Sequence, residues 1–445
     1  MTAALLAAAA ALIGAVISSV VSLLPALHVY NVLGVLLLLL FALQEAGLVV
    51  SPLLYLPFMT GLIVGWCMLN TIPSILLGAP DESALFTVMP GQKLLMQGRG
   101  FEAVMITAVG GLAGVFLLVF GLGPLAPRLL PLIRQVFAPH LHWVLWVIIT
   151  YLLMSEWPKG GSRGPAGWRK FFDAWTSLGA GLLTFMLSAL LGFLLLYRSP
   201  VRAESAFQNL LPAFVGLFAV PWCLFNLISI GAIPQQYRPD TLEVEGDRLL
   251  RGAIAGGLGG GLAAFFPVVT GGVGGLLAGH ATAQRDERVF LLSQGVSKLV
   301  YYAGSFLLLF VPGLHLRRGG AAWMVHTLFL PRTWGDYLLV LGSMALAGAA
   351  AFLMTPPLTR WTLRFIERTP YRLASALALA IAALLVGGLT GGAGLFIMAV
   401  ATGIGLIPIL FGSRRLNCLG LLLVPMACNM SGFGPRIAGA LGLLR

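Results

Sequence analysis

The sequence predicts an all-α, polytopic integral membrane protein with two structural repeats and broken or re-entrant helices, about 10–12 transmembrane helices in all. Three observations carry this expectation. Of 445 residues, 59% are apolar and only 9% charged, with a mean hydropathy of +0.95, whereas soluble domains are about a quarter charged. The apolar residues fall in runs long enough to cross about 30 Å of hydrocarbon as helices. Two proline-interrupted segments stand at corresponding places in the two halves of the chain.

Candidate spans cover 3–24, 31–49, 53–77, 101–123, 141–156, 173–197, 208–231, 252–279, 289–311, 335–354, 373–390, 393–411 and 416–430. The run 321–330 and the tail after Ser431 read as segments that enter the membrane and return. The first 25 residues hold no charge, so they lack the basic start of a cleaved signal and read as a retained first helix. The longest polar connections, 78–100, 157–172, 232–251 and 355–372, are too short for a soluble domain. The third divides one membrane domain into an N-terminal repeat, 1–235, and a C-terminal repeat, 236–445.

The 27 Lys and Arg against 15 Asp and Glu give a net charge of +12. The basic residues gather in short connections, such as Lys159, Arg163, Arg169 and Lys170, or Arg360, Arg364, Arg368 and Arg372. That is the pattern of cytoplasmic loops facing anionic lipid. With no separate basic domain, it argues against nucleic-acid binding. The cysteines Cys67, Cys223, Cys418 and Cys428 lie in apolar runs without metal-ligand spacing and read as buried hydrophobes.

The halves resemble each other around their breaks. In residues 14–31 a small-residue helix runs into Pro25, followed by His28, Tyr30 and Asn31. In residues 256–272 a glycine-rich helix runs into Pro267, followed by Thr270, Gly271 and Gly272. Proline breaks a helix and frees backbone amides and carbonyls, which hydrocarbon tolerates only where they line a cavity or ligand site. Such helix ends suit carboxylate or phosphate oxygens. His28 is a candidate for proton relay, or a hydrogen-bonded structural group. The glycine ridges Gly252, Gly256, Gly260 and Gly271, Gly275, Gly279 indicate close helix packing.

Lys298 lies deep inside the run 289–311, where a cation costs about 2.5–3.5 kcal/mol even on lenient insertion scales. Gln294, Lys298, Tyr301, Tyr302 and Ser305 share its helical face. A polar stripe of this kind faces a water- or substrate-filled cavity, with an anionic substrate offsetting the charge. The competing reading is a structural ion pair with Glu45 or Asp286. Asn70, mid-span beside Trp66 and Ser74, is either helix–helix glue or a ligand group. No H-E-x-x-H or G-x-S-x-G string is present, and His140 and His142 have no acidic or thiol neighbour, so no enzyme is expected.

Three strings then suggest a family. Pro73-Ser-Ile-Leu-Leu-Gly-Ala-Pro80-Asp81-Glu82, Val88-Met-Pro90-Gly91-Gln-Lys and Gln97-Gly98-Arg99-Gly100-Phe-Glu102-Ala resemble the large membrane subunit of tripartite tricarboxylate transporters, in the archaeal form without known partner subunits. The run from Thr390-Gly391-Gly392-Ala-Gly394 through Gly405-Leu-Ile-Pro408 to Arg414-Arg415-Leu-Asn-Cys-Leu-Gly420 and Pro425 is similar to that family's last motif. The resemblance implies two repeats with Pro-Gly substrate loops, matching Pro25–Asn31 and Pro267–Gly272 here. It also implies cation-coupled symport of carboxylates with Na+ or H+, a small membrane subunit and an extracytoplasmic binding protein. Ala26 and Val268 stand where the family has glycine, which leaves the substrate open. The break at Pro267 also looks like the Pro-Gly-x-Ser-Gly-Gly-Thr loop of polyprenyl-phosphate translocases.

The expected protein is therefore a secondary transporter of a prokaryotic plasma membrane that moves an organic anion, a carboxylate by preference. A polyprenyl-phosphate translocase is the alternative, and an embedded enzyme or structural membrane protein stands further off. The expected site comprises Pro25, His28, Asn31, Asn70, Pro267, Thr270, Gly271, Gly272, Gln294, Lys298 and Tyr302, with no metal or other cofactor. Expected partners are the lipid bilayer and a small anion, and a homo-oligomer is among the assemblies this allows.

Overall fold

Small residues decide which helix faces meet and which face lipid. The computed structural model describes residues 2–25, 27–156, 167–202, 209–228, 233–282, 284 and 286–444, so Ala26, Lys159 and Arg163 lie outside the described residues. About 80% of the described residues are helical, and none of them lies in a strand. The α-helices are α1 (Thr2–Val21), α2 (Val29–Glu45), α3 (Pro52–Leu69), α4 (Thr71–Leu76), α5 (Leu85–Met96), α6 (Gly100–Phe116), α7 (Gly123–Phe137) and α8 (Leu141–Met154). They continue with α9 (Trp168–Tyr197), α10 (Leu211–Phe214), α11 (Val220–Ile228), α12 (Gly246–Phe265), α13 (Gly271–Ala281), α14 (Glu287–Leu307) and α15 (Gly319–Leu328). The last are α16 (Trp334–Arg368), α17 (Tyr371–Leu410), α18 (Gly420–Met430) and α19 (Gly434–Ala440).

The chain forms two compact units. One holds Met1–Arg134 and Asn226–Ile381, the other Gln135–Phe225 and Ala382–Arg445. In the first, α1 buries only Ala7, Ala10, Ala11, Gly14, Ala15 and Ser18, a stripe of small side chains. It lies so close on α3 that a Cβ on Gly14 would stand 2.2 Å from the Phe58 carbonyl oxygen, and one on Gly61 2.1 Å from that of Ala11. Leu5, Leu6, Ile13, Val16 and Val20 point outward from the same helix. This is how helices associate when lipid is as apolar as their side chains.

The glycine ridge of α12 meets α14 in the same way. Gly256 faces the Ser293 carbonyl oxygen and Gly260 that of Ser297, while Gly259 and Gly274 bring α12 against α13. From the other side α6 closes on α14 through Gly110, against the Leu292 carbonyl. Helix α14 also packs on α3, α13 and α15. Almost every residue from Val289 to Leu307 is thus buried by protein, which is how so polar a helix is tolerated. In the second unit, α18 packs on α8 and α9. There the buried Glu156 accepts from the Arg414 amide, at 3.0 and 3.1 Å, and from Asn417 at 2.9 Å.

Seven described helical segments are long and apolar enough to cross a membrane, or eight if the bent pair Arg415–Met430 and Gly434–Ala440, at 114°, counts as one. The lower figure than the sequence expectation has physical causes. α12 and α14 are too rich in glycine or charge to pass as lipid-facing spans, and α2 and α13 are short. Two expected spans run together as α17, kinked at Gly391, whose φ of 67° is left-handed. The connection expected at 355–372 is mostly helix instead, because α16 continues through Pro356 and Pro357 to Arg368. Threonine hydroxyls bond back to helix carbonyls along that stretch, Thr355 to Ala351 and Thr359 to Thr355.

Two substitutions in α12 separate packing from propensity. Gly256→Ala, whose Cβ would lie 2.4 Å from a backbone oxygen, is expected to lower stability by about 1–3 kcal/mol. Gly261→Ala, with nothing within 4 Å, is expected to be neutral or to gain up to about 1 kcal/mol. Thermal melting of the detergent-solubilised variants measures both.

Candidate functional site

Both breaks fall in the first unit, and both abut the same two turns of α14. The first separates α1 from α2, where Pro25 is buried and His28 caps α2, its Nδ1 accepting from the Tyr30 amide at 3.1 Å. The second separates α12 from α13, where Thr270 caps α13 by accepting from Val273. His28 reaches Tyr302 of α14 at 2.9 Å, and Gly271 packs against the Lys298 Cα and the Tyr301 ring. Carbonyls at the breaks are bonded from other elements. Trp66 Nε1 donates to Leu27 at 3.1 Å, Arg318 Nε to Phe265 at 2.9 Å and Ser297 Oγ to Gly271 at 2.7 Å.

The Lys298 side chain is only 4% exposed. Its ammonium donates to Asn70 Oδ1 at 2.8 Å, lies 3.2 Å from Asp81 Oδ2, and sits 4.7 Å from the centre of the Trp66 ring. The paired carboxylate is thus neither Glu45 nor Asp286. Glu45 ends α2 in an exposed position, while Asp286 caps α14 through the Arg288 amide at 2.8 Å and pairs with Arg248 at 3.2 Å. Nor does the ammonium face an open cavity: protein groups surround it. Asn70, at the junction of α3 and α4, acts as its neutral acceptor.

One turn on, the Tyr302 hydroxyl, 1% exposed as a residue, joins the first break to the loop between α4 and α5. It donates to Glu82 Oε1 at 2.8 Å and receives Ser83 Oγ at 3.1 Å. Because His28 Nδ1 already accepts from a backbone amide, the imidazole proton sits on Nε2 and points at the same hydroxyl. The donor atoms of His28, Asp81 and Glu82 come within 4.8 Å of one another, a spacing a cation could bridge. The phenol bonds His28 and Glu82, and the ammonium balances Asp81.

The structure brings together His28, Asn70, Gly271, Lys298 and Tyr302 among the residues singled out in the sequence. Thr270 and Gly272 stand beside them, Gly272 against the Ser83 carbonyl and the Phe86 ring. Gln294 lies a turn before Lys298, 1% exposed and packed on Gly275, with neither amide atom hydrogen-bonded. Asn31 is buried in the first turn of α2. Pro25 and Pro267 shape the breaks. Sequence reasoning did not place Asp81, Glu82 and Ser83 in the site. Asp81 and Glu82 are the only acidic residues between Glu45 and Glu102, but they fall in the connection 78–100, where a carboxylate facing water costs nothing and gives no signal.

Helices with apolar outward faces around a buried ionic centre, with two broken segments packed on the same helix, define a multi-pass integral membrane protein. The chain belongs to the tripartite tricarboxylate transporter TctA family, which it matches over residues 8–420. Members of this family are membrane transporter components, not enzymes, and work with a binding protein and a small subunit. An uncharacterized protein of Methanocaldococcus jannaschii is 23% identical over 367 residues, covering 82% of this chain and 83% of that protein. No solved structure matches.

The departure from Pro-Gly at the second break has a structural consequence. Val268 adopts a φ of 54°, a left-handed conformation that costs a residue with a Cβ about 1–2 kcal/mol. Val268→Gly is expected to raise stability by up to about 1 kcal/mol once the extra freedom of the unfolded glycine is discounted. An equal loss, read by thermal melting, would contradict strain at this break.

Proposed function

We propose that the first unit binds a carboxylate of an organic anion at Lys298 and Asn70, between the two breaks, and carries it by alternating access coupled to Na+ or H+. The observation that carries this reading is a buried ammonium set where two interrupted helices abut one polar helix. An intramembrane cation at such a place is a functional-site signature, and half-helix ends there favour negative charge. Tricarboxylates are the family's substrate class, and a binding protein would deliver the anion to this chain.

The same reading includes two repeats, 1–235 and 236–445. Two observations support it. The order helix, break, helix, helix recurs as α1–α3 and α12–α14. Each half also gives its first part to one compact unit and its later part to the other. Movement of one repeat-derived bundle against another would expose the breaks to each side in turn.

Purified protein in proteoliposomes is expected to take up citrate or succinate in a saturable manner that depends on a Na+ or H+ gradient; unsaturated passive flux would contradict a carrier. Lys298→Met is expected to cut that uptake at least about tenfold, a loss of 1.4 kcal/mol or more of binding free energy. Normal uptake by a folded Lys298→Met protein overturns the assignment. Thermal stabilisation by a polyprenyl phosphate but by neither carboxylate would favour lipid-carrier translocation instead, since a ligand of the native state raises its melting temperature.

A further inference from the structure

We propose that Asp81 is a resident carboxylate: it occupies Lys298 in the empty site, and a carboxylate of the transported anion displaces it. The inference rests on the reading of Lys298 as the substrate-binding cation and adds what must leave before substrate enters. Ligands are then restricted to anions that present an unhindered carboxylate to this ammonium.

The ammonium offers no vacant direction to a newcomer. It has three N–H groups, and Asn70 Oδ1 at 2.8 Å, Asp81 Oδ2 at 3.2 Å and the Trp66 ring at 4.7 Å stand around it. Of these partners, Trp66 belongs to α3 and Asn70 to the corner between α3 and α4, both fully buried and packed. Asp81 alone sits on the non-helical stretch between α4 and α5, after Gly78 with its left-handed φ of 66°. A partner on a loop can move without unpacking a helix.

The two oxygens of Asp81 divide the work. Oδ1 accepts from the Ala84 amide at 2.5 Å, in the turn that leads into α5. Oδ2 faces the ammonium, with the Tyr302 hydroxyl 3.3 Å away on its other side. A modest swing of the carboxylate releases Lys298 while the Ala84 bond persists. Exchange of one carboxylate for another also never leaves the ammonium bare in a dry interior, the situation that is strongly destabilising.

Asp81→Asn tests this directly, since the amide keeps the Ala84 acceptor and removes the charge. In chloride the purified variant is expected to melt below the wild type. In acetate at equal ionic strength it is expected to recover most of that loss, with the wild type nearly unmoved. Its succinate affinity, by calorimetry, is expected to be at least about tenfold tighter than wild type, because no competitor must first be displaced. Asp81→Glu, which restores a resident carboxylate, is expected to return affinity toward the wild-type value.

No acetate recovery together with unimproved succinate affinity overturns the proposal. Should Asp81→Asn be recoverable only when purified in acetate, that dependence supports it; failure in acetate and chloride alike overturns it. The two levels separate cleanly. Succinate binding that needs Lys298 but is no tighter in Asp81→Asn defeats the resident carboxylate and spares the transport reading. Acetate recovery without succinate or citrate binding by either protein does the reverse.

Discussion

The first unit is organised around one ion pair, Lys298 with Asp81, at 3.2 Å and almost without exposure. A lone ammonium at this depth would be costly, and so would a lone carboxylate. Together, with Asn70 accepting and Tyr302 nearby, they are tolerated in a protein interior. The demand for that neighbourhood propagates outward. The loop between α4 and α5 must fold in to deliver Asp81 and Glu82. α14 must be encased by other helices, since its polar face has no place in lipid. The glycine ridges of α12 and the close approach of Gly110 on α6 provide that enclosure.

The broken helices fit the same logic. A break exposes backbone groups that hydrocarbon cannot satisfy, and here each break finds partners on other elements. Trp66 holds the Leu27 carbonyl, Arg318 that of Phe265, and Ser297 that of Gly271. Trp66 serves twice, bonding the first break through its N–H and facing Lys298 with its ring. Tyr302 likewise touches His28 from the first break and Glu82 from the loop. Shared partners of this kind tie the first break directly to the ionic centre.

Much of this was legible in the sequence, and the rest was hidden for definite reasons. Composition and run length gave the helical membrane class, because the bilayer dictates both. Lys298, Tyr302 and the two prolines stood out because each violates a rule for lipid-exposed helices. The partner of Lys298 did not, since pairing across more than two hundred residues leaves no local pattern; Glu45 and Asp286 were merely acids at helix ends. Helices shielded by protein, such as α14, are too polar to pass as spans on length and apolarity alone, and α16 runs past the expected end of its span through a proline pair. The strain at Val268 is a backbone property that residue identity alone suggests only by contrast with glycine.

The pairing itself is open to a single decisive measurement, a double-mutant cycle of Lys298→Met and Asp81→Asn on unfolding stability in detergent. A buried pair implies that either single change strands a charge, so the double variant should be more stable than the sum of the singles implies by at least about 2 kcal/mol. Losses that add to within about 0.5 kcal/mol would mean that the two residues do not meet, and the centre described here would not exist.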